Sequence, residues 1–151
     1  MNIGFLGLGK LGLPVSLAVE EKGHKIFGYD ISKQTIEDIK NRKIRYREEW
    51  VDKYLPNTKL EITNIDDLVK NSEIIFVPIQ TPHDPKYEGV TRIPEKRIDF
   101  DYSYLQSGIK DLSKAIEKNG EDKVVIIIST VLPGTIRNQI KPLLGNHTKL
   151  C

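Results

Sequence analysis

The sequence predicts an α/β domain, a parallel sheet covered by helices on both faces. Three observations predict it. Apolar stretches of strand length alternate with stretches of helical periodicity along all 151 residues, and that alternation builds parallel sheets. Two of the apolar stretches are continuous runs: Ile74, Ile75, Phe76, Val77, and Val124 through Ile128. Continuous runs suit strands covered on both faces. The first apolar stretch runs directly into a glycine cluster, Gly7-Leu8-Gly9-Lys10-Leu11-Gly12.

That cluster organises the first thirty residues. A strand over 3–6 leads into it, a helix over 13–22 follows, and a second strand over 25–29 ends in Asp30. Strand, glycine turn, helix, strand and acid form the fingerprint of a dinucleotide-binding βαβ unit, and so of a Rossmann-type doubly wound sheet. Gly7 permits a tight turn. Gly9 lets backbone N–H groups approach a pyrophosphate. Gly12 lets the helix pack closely on the strand. The phosphates would lie at the positive end of that helix, and Asp30 stands at about the ~20-residue distance of a ribose-binding acid. The bland reading, glycines that only shape a surface turn, leaves the flanking elements and the acid unexplained.

The remaining elements follow in order. The first helix carries Leu11, Val15, Leu17, Ala18 and Val19 as apolar positions, with Pro14 in its first turn and Lys22-Gly23 as its stop. Ser32 caps a second helix bearing Ile36 and Ile39. Residues 40–57 open with Lys40, Arg42, Lys43, Arg45 and Arg47, then carry Trp50, Tyr54 and Leu55. A basic run beside aromatics could suggest a nucleic-acid patch. The preferred reading is a solvated connection and a short helix over 48–55, packing Trp50 and Leu55 inward. A short strand over 59–63 precedes a helix started by Asn64 or Asp66 and carrying Leu68 and Val69. The strand over 73–79 closes at Gln80-Thr81-Pro82. Residues 83–100, with Pro85, Gly89 and Pro94, form a long loop of a kind that is often functional. Its His83, Asp84 and Glu88 match no metal-ligand spacing. Asp101 caps a long helix over 102–118 with Leu105, Ile109, Leu112 and Ile116 on one face, ended by Asn119-Gly120. A strand over 123–129 follows, then the turn 130–135. Thr135 caps a helix over 136–144, Gly145-Asn146-His147 breaks it, and 148–151 begin another strand. The sheet thus has five strands, with a sixth cut off at the C-terminus.

Composition sets outer bounds. With 38% hydrophobic and 29% charged residues, the default is one soluble globular domain spanning 1–151. A net charge of +2 gives no case for a nucleic-acid or membrane partner. One cysteine, Cys151, excludes an internal disulfide framework. The first residues resemble no secretory leader, and no run reaches membrane-spanning length, so a cytoplasmic location is expected.

Four segments in order carry a resemblance: Gly7 through Pro14, then Gly28-Tyr29-Asp30, then Val77-Pro78-Ile79-Gln80-Thr81-Pro82, then Ser129-Thr130-Val131-Leu132-Pro133-Gly134-Thr135. They resemble the N-terminal NAD-binding domain of the UDP-glucose/GDP-mannose dehydrogenase family, whose enzymes oxidise the 6-hydroxyl of a nucleotide sugar to a carboxylate with two NAD+. The resemblance implies NAD as cofactor. It assigns the pyrophosphate to the turn of Gly7, Leu8, Gly9, Lys10, Leu11 and Gly12, the adenosine ribose to Asp30, and further contacts to Thr81 and Thr130. The two threonines stand at strand carboxyl ends, where ligands of open α/β sheets bind. Their alternative reading is ordinary turn chemistry.

This sequence departs from the family in several places. Lys10 replaces a frequent aromatic, and either pairs with a phosphate or points to solvent. Thr35 stands where the family has a lysine, with Lys33 as a possible substitute. The loop after Pro82 is about ten residues longer than the family norm: a cover over cofactor or substrate, a subunit contact, or a disordered insertion. The family's catalytic cysteine and lysine and its nucleotide-sugar site belong to later domains. Cys151 lacks the cysteine's motif and reads as a small residue in a buried strand. This chain is therefore expected to bind NAD without completing the reaction, with no catalytic or metal-binding residues of its own and homo-oligomerisation left open. Two alternatives stand beside that reading: a relative among the 3-hydroxyacid dehydrogenases, and a stand-alone NAD-binding module.

Overall fold

The computed structural model describes residues 1–87, 90, 92 and 95–151. Glu88, Gly89 and Pro94 of the expected long loop lie outside the described residues. Among the described residues six strands form one sheet: β1 (Asn2–Leu6), β2 (Lys25–Tyr29), β3 (Glu61–Ile62), β4 (Ile74–Val77), β5 (Lys123–Ile127) and β6 (Thr148–Leu150). Their order is β3-β2-β1-β4-β5-β6, and every pairing is parallel. The chain's first strand is therefore central, pairing Ile3 with Ile26 on one side and with Ile74 on the other. The segment expected to begin a sixth strand forms the sheet edge, with Val125 opposite Leu150.

The α-helices of the described residues, α1 (Gly12–Glu20), α2 (Lys33–Lys40), α3 (Glu49–Tyr54), α4 (Ile65–Asn71) and α5 (Ser103–Asn119), connect the strands. They divide the core into two clusters, one on each face of the sheet. Leu68, Val69, Leu105, Ile109, Leu112 and Ile116 of α4 and α5 pack with Ile75, Val77 and Val125. Leu13, Leu17, Ile39 and Val51 of α1, α2 and α3 pack with Ile3, Phe5 and Ile26. Alternation along the strands explains the division: Phe5 turns to one face and Leu6 to the other. Phe5 stacks on Phe76 of the neighbouring strand, with ring centroids 5.1 Å apart.

Local chemistry sets the helix ends. The Ser32 hydroxyl accepts the Thr35 N–H at 3.2 Å, and the Asn64 side chain accepts the Asp67 N–H at 2.8 Å. Asp101 accepts the Ser103 N–H at 2.9 Å, just ahead of α5. Gly120 ends α5 in the left-handed region, φ +73°.

Four expectations are corrected. Trp50 does not pack inward. It is 54% exposed and stacks on Tyr54, ring centroids 5.0 Å apart. Val51 and the following Leu55 lie on the stripe buried in the core, Tyr54 packs against its margin, and Trp50 lies outside it. The helix over 136–144 is not regular either. It is a π turn, Ile136–Ile140, followed by a 3₁₀ turn, Lys141–Leu143. Pro142 has no N–H for the Asn138 carbonyl and its ring crowds that position. Thr135 caps nothing. Its buried hydroxyl lies 3.3 Å from the Tyr102 hydroxyl. Finally, Cys151 is exposed, although its N–H still donates to the Val125 carbonyl at 2.9 Å.

The β6 edge is also held by charge. Asp122 accepts from the Lys149 ammonium at 2.7 Å and pairs with His147 Nδ1 at 3.1 Å. The Lys149 bond, then that of His147, holds the Asp122 carboxyl below its ordinary range. A carboxyl lowered in the folded state stabilises that state above the ordinary carboxylate range and loses this contribution as pH falls through the folded value. Amide exchange at Cys151 should therefore quicken on acidification relative to the α5 amides. Asp122→Asn should flatten that dependence. An unchanged profile in the variant would remove Asp122 from this role.

Candidate functional site

The site is built at the carboxyl ends of β1, β2, β4 and β5. Gly7 leaves β1 with φ +117°, and its N–H donates to the Tyr29 carbonyl at 2.8 Å, so the turn is tied to the end of β2. A Cβ on Gly12 would stand 2.1 Å from the Gly7 carbonyl oxygen and 2.8 Å from Pro78 Cγ. Only glycine lets α1 begin there. Leu8 is 1% exposed, and a Cβ on Gly28 would lie 2.7 Å from its Cδ1. Leu8 thus plugs the turn onto β2.

Gly9 behaves differently. An added Cβ would find nothing within 4 Å, so this side of the turn is open. The N–H groups of Gly9, Lys10 and Leu11 meet no hydrogen-bond acceptor among the described residues. Three unused donors at the start of a nine-residue helix are suited to an anion. The Leu11 side chain is half exposed.

Asp30 is fixed at the end of β2. One carboxylate oxygen accepts the Leu8 N–H at 2.7 Å and the other accepts the Ser32 N–H at 2.8 Å. Each oxygen keeps a further lone pair, so the group can still accept from a ligand diol while its orientation is set by the backbone. Across the sheet, the Thr81 hydroxyl donates to the Thr130 carbonyl at 2.7 Å, and the Ser129 hydroxyl donates to the Val77 carbonyl at 3.0 Å. The two threonines singled out in the sequence therefore meet, at the ends of neighbouring strands.

Two concavities flank this line. A cleft of about 240 Å³ beside Asp30 is lined by Lys10, Ser32, Thr35, Asp38, Arg45 and Tyr46 over an apolar floor. Lys33 is exposed and is not among its lining residues. A second concavity of about 310 Å³, in the long loop, is lined by His83, Tyr87, Ile98, Asp99 and Phe100. The Tyr102 hydroxyl braces that loop: it donates to Asp99 at 2.6 Å and accepts the Leu132 N–H at 3.1 Å. Sequence reading passed over Tyr46 and Tyr102, because the neighbours that single them out, Lys10 for Tyr46 and Leu132 for Tyr102, lie tens of residues away. Among the described residues there is no cluster of three or more metal-ligating side chains, and no helix is long and apolar enough to cross a membrane.

Residues 1–150 match the UDP-glucose/GDP-mannose dehydrogenase family, NAD binding domain. The chain belongs to this family. NAD is accordingly its cofactor, and the open glycine turn with the anchored Asp30 fits such a dinucleotide. Among relatives of this family, the chain is 31% identical to Protein CapL of Staphylococcus aureus over 99% of its length and 31% of that protein. It is 30% identical to UDP-N-acetyl-D-mannosamine dehydrogenase of Pyrococcus horikoshii, over 99% of its length and 33% of that enzyme. A ternary complex of GDP-mannose dehydrogenase from Pseudomonas aeruginosa shares the fold, with TM-score 0.81 at 24% identity, covering 99% of this chain and 35% of that one. The chain thus spans about a third of the length of the relatives it matches.

The glycine contacts separate two substitutions. Gly12→Ala should lose about 1–3 kcal/mol or more, because backbone must move to admit the methyl group. Gly9→Ala should melt close to the parent. Thermal unfolding of both variants checks this, and a Gly12→Ala protein as stable as Gly9→Ala would contradict the packing described.

Proposed function

We propose that residues 1–151 are the NAD-binding domain of a nucleotide-sugar 6-dehydrogenase, of the type that takes a UDP-glucose or GDP-mannose hydroxyl to a carboxylate with two NAD+. The observation that carries this is Asp30, held between the Leu8 and Ser32 N–H groups beside three unused turn donors, in a chain of this family. Bound NAD+ would accept hydride from the sugar carbon. The chain's own part is to hold and orient it. The N–H groups of Gly9, Lys10 and Leu11 would bind the pyrophosphate, Gly7 and Gly12 shape that turn, and the Leu8 N–H serves it indirectly by anchoring Asp30. Asp30 would accept from the adenosine ribose hydroxyls. Thr81 and Thr130, at the ends of β4 and β5, would contact the cofactor farther along the crevice.

Oxidation to a carboxylate requires a nucleophile to hold the aldehyde for the second hydride transfer. Within these residues the single cysteine is Cys151, exposed beside β5. We therefore assign the thiol and the nucleotide-sugar site to other parts of the enzyme, and no catalytic residue to this chain. A cytoplasmic setting, a nucleotide-sugar substrate and homo-oligomeric assembly go with that reading. The lone cysteine and the modest net charge of +2 support it against a secreted or nucleic-acid-binding role.

Calorimetry tests the cofactor assignment. A carboxylate repels a 2′-phosphate, so NAD+ should bind more tightly than NADP+. Asp30→Asn keeps an acceptor oxygen and should narrow that gap. Asp30→Ala should weaken NAD+ by roughly tenfold, on the order of one charge-assisted hydrogen bond. Equal affinity of the parent for the two cofactors would sink the assignment of Asp30.

A further inference from the structure

The cleft beside Asp30 holds an unbalanced charge. Three charged side chains line it: Lys10, Asp38 and Arg45. Arg45 Nε lies 2.9 Å from one Asp38 oxygen, and the other Asp38 oxygen accepts the Gln34 amide at 2.8 Å. That acid and that base therefore cancel locally. Asp30, next to the cleft, already has both oxygens on backbone N–H groups. Lys10 forms no ion pair among the described residues. Its ammonium lies 6.0 Å from the centroid of the Tyr46 ring, at the outer limit of a cation–π contact. The ring thus draws the ammonium over the cleft without neutralising it. The Tyr46 hydroxyl is buried and has no partner among the described residues. Burial, then the charge of Glu48, raises its pKa, so the ring faces Lys10 as a neutral phenol.

We propose that Lys10 recognises the adenosine-side phosphate of the dinucleotide through its side chain, and that Tyr46 is the residue that positions it. This rests on the NAD reading above and deepens it. The backbone of Lys10 belongs to the row of unused N–H donors on the glycine turn, and its side chain lines the cleft together with Leu8 and Ser32, the two residues whose N–H groups hold Asp30. A phosphate received by the turn and followed by a ribose on Asp30 would border this cleft, within reach of the Lys10 side chain. An ammonium supplies three donors and a compact charge there, close enough to the surface for salt to screen it. Lys33, one residue past the Ser32 cap, faces solvent outside the cleft and has no part in this.

The test uses NAD+, 5′-AMP and adenosine, titrated by calorimetry and followed by amide chemical shifts. Lys10→Met keeps the aliphatic stem and removes the charge. It should weaken NAD+ and 5′-AMP by roughly five- to tenfold, within the range of a partly exposed ion pair, and flatten the salt dependence of both. Adenosine, which lacks the phosphate, should bind as before. Lys10→Arg should restore most of the loss, and Lys33→Met should cause none. Tyr46→Leu should show part of the same phosphate-specific loss and add little to Lys10→Met, since it acts through that residue. Unchanged 5′-AMP binding in Lys10→Met, or an equal loss of adenosine, would overturn the proposal while leaving NAD binding intact. A parent chain that binds none of the three ligands would overturn the function itself.

Discussion

One contact governs this structure: the first turn of α1 lies against the carbonyl that ends β1, with room for a hydrogen on Gly12 and for nothing larger. Because the helix starts that close, the backbone N–H groups of the turn emerge together at the crevice rather than being used inside the fold. The same closeness presses Leu8 down onto Gly28 and delivers its N–H to Asp30. The acid is therefore oriented by the turn it works beside. Packing, backbone geometry and ligand chemistry are here one arrangement, and a single methyl group at residue 12 would disturb all three.

The other half of the crevice is held by hydroxyls rather than by glycines. Thr81 reaches the end of the next strand, and Ser129 reaches back. Tyr102 gathers Asp99, Leu132 and Thr135 around one oxygen. These bonds join segments that the sheet alone would leave as separate strand exits. Shared hydroxyls of this kind cross-link the strand exits at the rim of the core, and each is worth about 1 kcal/mol. The long loop is thereby attached at its end nearest α5.

The strands and the glycine turn were legible in the sequence because their causes are local. Ile74 through Val77 and Val124 through Ile128 can only be covered on both faces, and a glycine cluster between a strand and a helix has few other uses. Ser32 and Asn64 announced their helices through the bonds they make three residues on. What was not legible depended on distant neighbours. Whether Trp50 or Val51 turns inward is decided by α1, thirty residues earlier. Thr135 looked like a cap until Tyr102 was in place to meet its hydroxyl. Pro142 was visible, but the π turn ahead of it follows from keeping Ile140 buried while the ladder is interrupted. The cleft beside Asp30 gathers residues from three separate segments, and no spacing rule marks such a gathering.

The strand order has a consequence in time. Of the strands in this sheet, the first in the chain lies at the centre, and its two edges are satisfied by chain made at very different moments. β2 follows β1 by some twenty residues, whereas Ile3 must wait for Ile74. Until then β1 carries an unpaired apolar edge, the kind of surface that recruits other strands. The part of the crevice nearest Asp30 can take shape from the early pairing alone. The part formed by Thr81 and Thr130 arrives only with β4 and β5, so the two ends of the crevice are laid down at different stages of the chain's emergence.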